Sequence, residues 1–217
     1  MQCQGQRQLG VEILRSKILL RTLYTADDSC HKRSESKEAF QGREVVCMTK
    51  EQFWRIIEDV NAVSQNHDQE TVWTRIVENL SHYPLEDIMD WHLIYHEYKD
   101  AAYRDEMFAV STALGSDYAD EGLNNFRAWL ISCGKEVFMN ALREPVTLVD
   151  SPKKDGCFNY GKYDYAAFYA YNAKMFRIDP DSTQDLIYAL EDYTLDRETI
   201  EDIHEELPKQ QGFGQNG

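Results

Sequence analysis

The sequence has no apolar run as long as a membrane span, no Cys-x-x-Cys pair, and no glycine-rich loop set between a strand and a helix as a phosphate or dinucleotide site needs. Each absence removes a class of protein. A transmembrane helix needs about 20 consecutive, mostly apolar residues, so no membrane partner is expected. The stretch 11–20 is interrupted by Glu12, Arg15 and Lys17, which is wrong for the core of a secretory signal. The five cysteines are Cys3, Cys30, Cys47, Cys133 and Cys157. Their odd number and irregular spacing indicate neither a disulfide framework nor a zinc site. Reduced thiols in a cytoplasmic protein are the expectation. No nucleophile elbow marks a catalytic serine, and no repeat at a solenoid period is visible. Alternating apolar and polar residues, the mark of a half-buried strand, occur nowhere for long; Val146 to Val149 is the weak exception.

Positive charge is scarce as well. Lys and Arg number 23 against 38 Asp and Glu, a formal net charge of −15. Residues 1–47 hold eight Lys/Arg and six Asp/Glu, so they carry +2 and the remainder carries −17. Binding to nucleic acid rests on Lys and Arg neutralising phosphate, so a nucleic-acid partner is not expected. Anionic lipid is disfavoured for the same reason. The balance suits solubility and a basic protein partner.

The texture of the chain changes at Met48. Before it, a Gln-rich start leads into a short basic amphipathic piece (Ile13, Leu14, Ile18, Leu19, Leu23) and then into polar residues 27–42. Nothing there can pack a core alone, and its acidic residues argue against a transit peptide. Residues 1–47 read as a poorly structured extension. A partner-binding tail is one reading; sequence upstream of a true start at Met48 is the preferred one.

After Met48 the pattern is helical. Thr49 and Gln52 form a capping box. Phe53, Ile56, Ile57, Val60 and Val63 follow at helical spacing, with Trp54 beside them; Val72, Trp73, Ile76, Val77 and Leu80 make a second stripe. Pro84 suits the first turn of the next helix. There, Leu85, Ile88, His92, Tyr95, Tyr98, Ala102 and Ala109 predict one long helix to about residue 112, or two with a kink. Asp120 and Glu121 open another helix, with Leu123, Phe126, Leu130 and Cys133 inward and Gly134 as a joint. Residues 150–162 read as loop. A tyrosine-rich helix follows, carrying Tyr165, Phe168, Tyr169, Asn172 and Phe176 on one side. Two short acidic helices, 183–192 and 197–207, end at Pro208. The prediction is an all-α fold: a single compact helical domain of about six to eight helices over 48–207, with a polar tail at 208–217.

Three constellations could carry chemistry. His92 and His96 stand four apart, so both rings share a helix face as a metal site needs. A zinc-protease helix places glutamate directly after its first histidine, and here that residue is Leu93. His92 also lies on the apolar stripe, so a structural pair is the reading and no metal or other cofactor is expected. Asp117, Asp120 and Glu121 lack the spacing of a calcium loop, and helix capping explains them. A polar binding site shared by Asp120 and Glu121 with Arg127 is the sharper alternative. Tyr160, Tyr163, Tyr165, Tyr169 and Tyr171 are dense enough for an interface, with core packing the simpler account.

Two stretches together resemble a bacterial family known only as a domain of unknown function, the one numbered 4240. The first is Phe53-Trp54, with Ile57 behind it. The second runs Asp120-Glu121-Gly122-Leu123-Asn124-Asn125-Phe126-Arg127-Ala128-Trp129-Leu130-Ile131, then Gly134, Ala141-Leu142 and Pro145. The Phe-Arg-x-Trp-Leu-Ile core is its most specific part, and the resemblance spans about 48–150. The chain departs from the pattern at Glu121, where the family has Asp, and at Leu123, where it has an aromatic residue. The resemblance implies a helical domain with no established activity.

The functional expectation is a non-enzymatic binding or regulatory module, for instance an immunity-like protein that masks a basic partner. Asp120, Glu121, Arg127 and Trp129 are its candidate binding residues. The alternative is an enzyme or small-ligand domain with a polar pocket around Asp120, Glu121 and Arg127. The absence of any complete catalytic set leans away from an enzyme.

Overall fold

The computed structural model describes residues 47–63, 69–116, 120–149, 158, 160–179 and 185–209. The chain divides between Val45 and Val46, and every described residue lies in the second unit. Expectations for residues 1–46 and for the tail from 210 fall outside the described residues.

Thr49 and Gln52 cap the first helix reciprocally. The Thr49 amide donates to Gln52 Oε1 at 2.9 Å, and the Gln52 amide donates to Thr49 Oγ1 at 3.3 Å. Both satisfy amides that a helix start leaves without intrahelical partners. From this cap runs α1 (Lys50–Val63), followed by α2 (Gln69–Leu80), α3 (Leu85–Ala101), α4 (Asp105–Ala113), α5 (Asp120–Ser132) and α6 (Lys135–Arg143). Two 3₁₀ turns, Pro145–Leu148 and Gly161–Tyr165, precede α7 (Ala166–Ile178), α8 (Leu186–Ala189) and α9 (Arg197–Glu206). No strand occurs among the described residues. Val146–Val149, the one segment with a hint of strand pattern, is instead the 3₁₀ turn and the residue after it. Pro145 sets its first position. No described helix is long and apolar enough to cross a membrane.

Helix α3 is the axis of the fold and packs against α1, α5, α7 and α9. Its inner face supplies Trp91, Tyr95 and Tyr98 to an aromatic core shared with Phe53, Trp54, Phe138 and Tyr163, all almost fully buried. Trp91 and Tyr95 stack nearly parallel at 5.5 Å, while Phe53 meets Trp54 edge-on at 5.0 Å. Offset stacking and edge contacts are the arrangements that the ring quadrupole favours. Met48 is buried with this cluster.

The predicted long helix is two. Helix α3 stops at Ala101, and Arg104, in extended backbone, starts α4. No glycine or proline stands at this break. Tertiary partners hold it: the Arg104 Nε donates to the Ala101 carbonyl at 2.8 Å, and its Nη2 donates to the Pro208 carbonyl at 3.0 Å. Between α5 and α6, Gly134 has φ +94, a conformation that strains any residue with a Cβ.

Helix α7 packs mainly through alanine. Its buried side is Ala166, Ala167, Ala170 and Tyr171, and it lies against α2 and α3. Tyr169 and Phe176, on the aromatic side that the spacing had singled out, are 50% and 66% exposed. Of the five clustered tyrosines, Tyr160, Tyr163 and Tyr171 are buried, Tyr165 is half-buried and Tyr169 faces solvent.

Candidate functional site

A helix of 17 residues ends with carbonyl groups that have no amide partner within it. At the C-terminus of α3 two arginines take them. Arg104 holds Ala101, as above. Arg127, from α5, donates through Nη1 to the Lys99 carbonyl at 2.8 Å. A cation there also meets the negative end of the helix dipole. Arg127 is 8% exposed. Its Nη1 lies 3.7 Å from Asp100 Oδ1, and its guanidinium sits 5.0 Å from the centre of the Tyr103 ring. Burial pulls its pKa down, and Asp100 opposes that shift; an arginine remains charged regardless.

Beside Arg127 lies a buried ion pair. Lys99 is 2% exposed, and its ammonium contacts the Asp164 carboxylate on the second 3₁₀ turn. Two more donors converge on that carboxylate. Tyr95 donates its hydroxyl to Oδ1 at 2.6 Å, and Asn124 donates Nδ2 to Oδ2 at 3.0 Å. A buried carboxylate is tolerated when paired and hydrogen-bonded in this way. Burial, and next the neighbouring carboxylate, push the Tyr95 phenol well above its usual range, which keeps it a donor. Asn124 also offers Oδ1 to Arg127 Nη2 at 3.5 Å, linking the two charged groups. Gly161 opens the turn that carries Asp164. A Cβ there would come within 2.9 Å of Asn125 Oδ1, so side chains on α5 constrain where the turn can run.

A second polar knot ties the C-terminal segment down. Tyr98 donates to Glu206 of α9, and Lys135 pairs with the same carboxylate at 2.8 Å. Lys50 lies 3.7 Å from Glu206 and donates to the Asp202 carbonyl at 2.8 Å. On the other flank of α3, Tyr193 donates to Asp90 Oδ1 at 2.7 Å, and Asp90 is wholly buried.

The residues singled out in the sequence fall into three places. Arg127 belongs to the buried network. Asp120 and Glu121 are exposed in the first turn of α5, and Arg127 pairs with Asp100 and Asn124 rather than with either of them. Trp129 is half-buried among Phe126 and Phe158, at ring distances of 5.4 and 4.8 Å. His92 and His96 meet edge-on at 4.4 Å, and His96 also meets Tyr95 edge-on at 5.3 Å. No group of three or more His, Cys, Asp or Glu able to hold a metal ion occurs among the described residues. Sequence reading missed Lys99, Asp164, Asn124, Asp90 and Glu206. Only Lys99 and Asp90 left a trace: each is a charge on the buried side of α3.

These features define an all-α domain whose central helix is held at its end and along its flanks by buried ionic contacts. The family model described as "Protein of unknown function (DUF4240)" matches residues 48–173, and the chain belongs to that family. No curated protein and no solved structure matches it. The matched region contains the whole Tyr95–Lys99–Asn124–Arg127–Asp164 network. Tyr193 and Glu206 lie beyond it.

Proposed function

We propose that this protein is a non-enzymatic binding module whose partner is a basic protein. The observation that carries this reading is how the fold sorts its charges. Residues 48–217 carry −17, and the fold draws Lys50, Lys99, Arg104, Arg127 and Lys135 into internal contacts. Among the described residues, nineteen Asp/Glu side chains stand exposed against seven Lys/Arg. Two of those seven, Lys162 and Arg197, are already paired with Glu70 and Glu201. The described outside therefore carries a strong net negative charge. Such a field speeds encounter with a cationic surface and repels anionic ones.

The buried network supports a scaffolding role in preference to catalysis. Lys99 is already engaged by Asp164, and Arg127 by the end of α3. A cleft of about 620 Å³ lies elsewhere, between the ends of α1 and α2, and is lined by residues such as Asp59, Arg75, Glu78 and His82.

The test is capture of partners by the full chain from an extract of its native cells at about 0.05 M and about 0.5 M salt, where the Debye length shrinks several-fold. The reading expects a stoichiometric basic protein at the lower salt and its loss at the higher. Recovery of no stoichiometric partner at either salt, or of an acidic one, contradicts it.

A further inference from the structure

Of the nine large hydrophobic side chains that stand exposed among the described residues, five lie on α7 and α8. Tyr169 and Phe176 are seven positions apart and so share one face of α7. Asn172 stands between them on that face, and its Oδ1 accepts a hydrogen bond from the Leu186 amide at 3.3 Å. That bond brings the start of α8 alongside, with Ile187 and Tyr188 turned outward at 55% and 59% exposure. Asp185 fixes the same turn by accepting from the Ile187 and Tyr188 amides at 2.9 and 3.2 Å. Ile178, 63% exposed, is the last residue of α7, on the side away from Phe176.

Single exposed apolar residues are ordinary, but a group of them gathered around one joint marks an interaction surface. The fold buries the alanine side of α7 and leaves Phe176, and half of Tyr169 beside Trp73, in water. The rim is acidic: Asp179, Glu191 and Asp192 are exposed around it, against the exposed base Arg177. A second copy of the chain would bring the same acids against each other, so the charges disfavour self-association. They complement a cation. Aromatic faces add to this, since Tyr and Phe rings attract ammonium and guanidinium groups.

We infer that the α7–α8 face is where the basic partner docks, through an amphipathic helix with an apolar stripe flanked by Lys or Arg. This rests on the acidic-module reading above and adds to it a location and a shape. Side chains such as Leu would cover Phe176 and Ile187, while flanking cations would reach Asp179, Glu191 and Asp192.

The test uses the full chain and two synthetic peptides of about 18 residues, five turns of helix. Both have the same Leu and Lys composition. One places Leu at i, i+3, i+4 and i+7; the other scrambles the order so that no apolar stripe forms. The inference expects the patterned peptide to bind about tenfold more tightly than the scrambled one, and the double variant F176S/I187S to lose about that factor for the patterned peptide alone. Both substituted side chains are more than half exposed, so the variant should keep the thermal midpoint of the parent chain. Should it not fold, a benzophenone-bearing patterned peptide on the unmodified chain replaces it, with crosslinks expected in residues 169–192. Equal affinity for both peptides, an unaffected variant, or crosslinks elsewhere overturn the docking face and leave the charge reading standing. Binding of neither peptide overturns both.

Discussion

The Tyr193 hydroxyl donates to the Asp90 carboxylate at 2.7 Å, joining a residue beyond the family-matched region to a fully buried acid within it. Together with Tyr98–Glu206 and Lys135–Glu206, it makes the C-terminal segment part of the fold. Y193F removes a donor from a buried carboxylate and should cost about 1–3 kcal/mol, read as a lower urea midpoint at unchanged slope. Truncation after Asp179 should cost more, because it also removes Leu186, Leu195 and Ile203 from the core. A truncated chain as stable as the whole one would contradict this account.

The Lys99–Asp164 pair makes a sharper prediction. K99M leaves the Asp164 charge without its ammonium and should destabilise by about 3–5 kcal/mol. Replacing both partners, in K99M/D164L, should recover only part of that loss, since no charge is left unpaired but Tyr95 and Asn124 lose their acceptor. Chemical denaturation of the single and double variants reads the coupling directly. A double variant worse than the sum of the two single ones would mean that the pair organises the network in a way that apolar packing cannot replace.

Arg127 is placed to hold the end of α3. R127M should destabilise by about 2–4 kcal/mol by removing a charged, hydrogen-bonded group from a buried site. Amide exchange should accelerate first in residues 98–104, where α3 stops and α4 begins. Uniform acceleration across the fold would argue against a local capping role.

Stability should be flat near neutrality and fall in alkali. Burial, and for Tyr95 and Tyr98 also a bonded carboxylate, raise the pKa of Tyr95, Tyr98 and Tyr163 above the ordinary phenol value. A raised folded-state pKa means that the native protein holds those protons more tightly than the unfolded chain. The contribution is therefore complete below about pH 10, where unfolded tyrosine titrates, and is lost as pH climbs above that. Tyrosinate absorbance followed alongside circular dichroism should show these phenols ionising only as the helices melt. Their ionisation in a still-folded protein would refute the assignment.

Much of the architecture was legible because helical stripes report burial when large apolar residues do the packing. Phe53, Ile56, Ile57 and Val60 on α1, and Val72, Ile76 and Leu80 on α2, are buried as their spacing implied. The core side of α7 was hard to read because it is mostly alanine, which makes a faint stripe, while Tyr169 and Phe176 stand out in the sequence and are half or more exposed. The break after Ala101 was one of two readings left open, since carbonyls captured by Arg104 and Arg127 leave no local mark. The buried network was the least legible part. Lys99 stands beside the apolar stripe with nothing local to mark it, and its partner Asp164 lies 65 positions away in the chain. Asp120 and Glu121 stand exposed in the first turn of α5, where acids meet the positive end of the helix dipole.

The claim that the outward acids serve a basic partner is tested most directly by capture from native extract with the full chain and with a charge-neutralised form. E191Q/D192N/E198Q/E205Q changes four exposed side chains and none of the buried contacts. The account predicts a stoichiometric basic protein with the parent chain at low salt, less of it with the neutralised form, and none from either at high salt. A partner that is acidic, or one held equally by both forms at both salts, would contradict it.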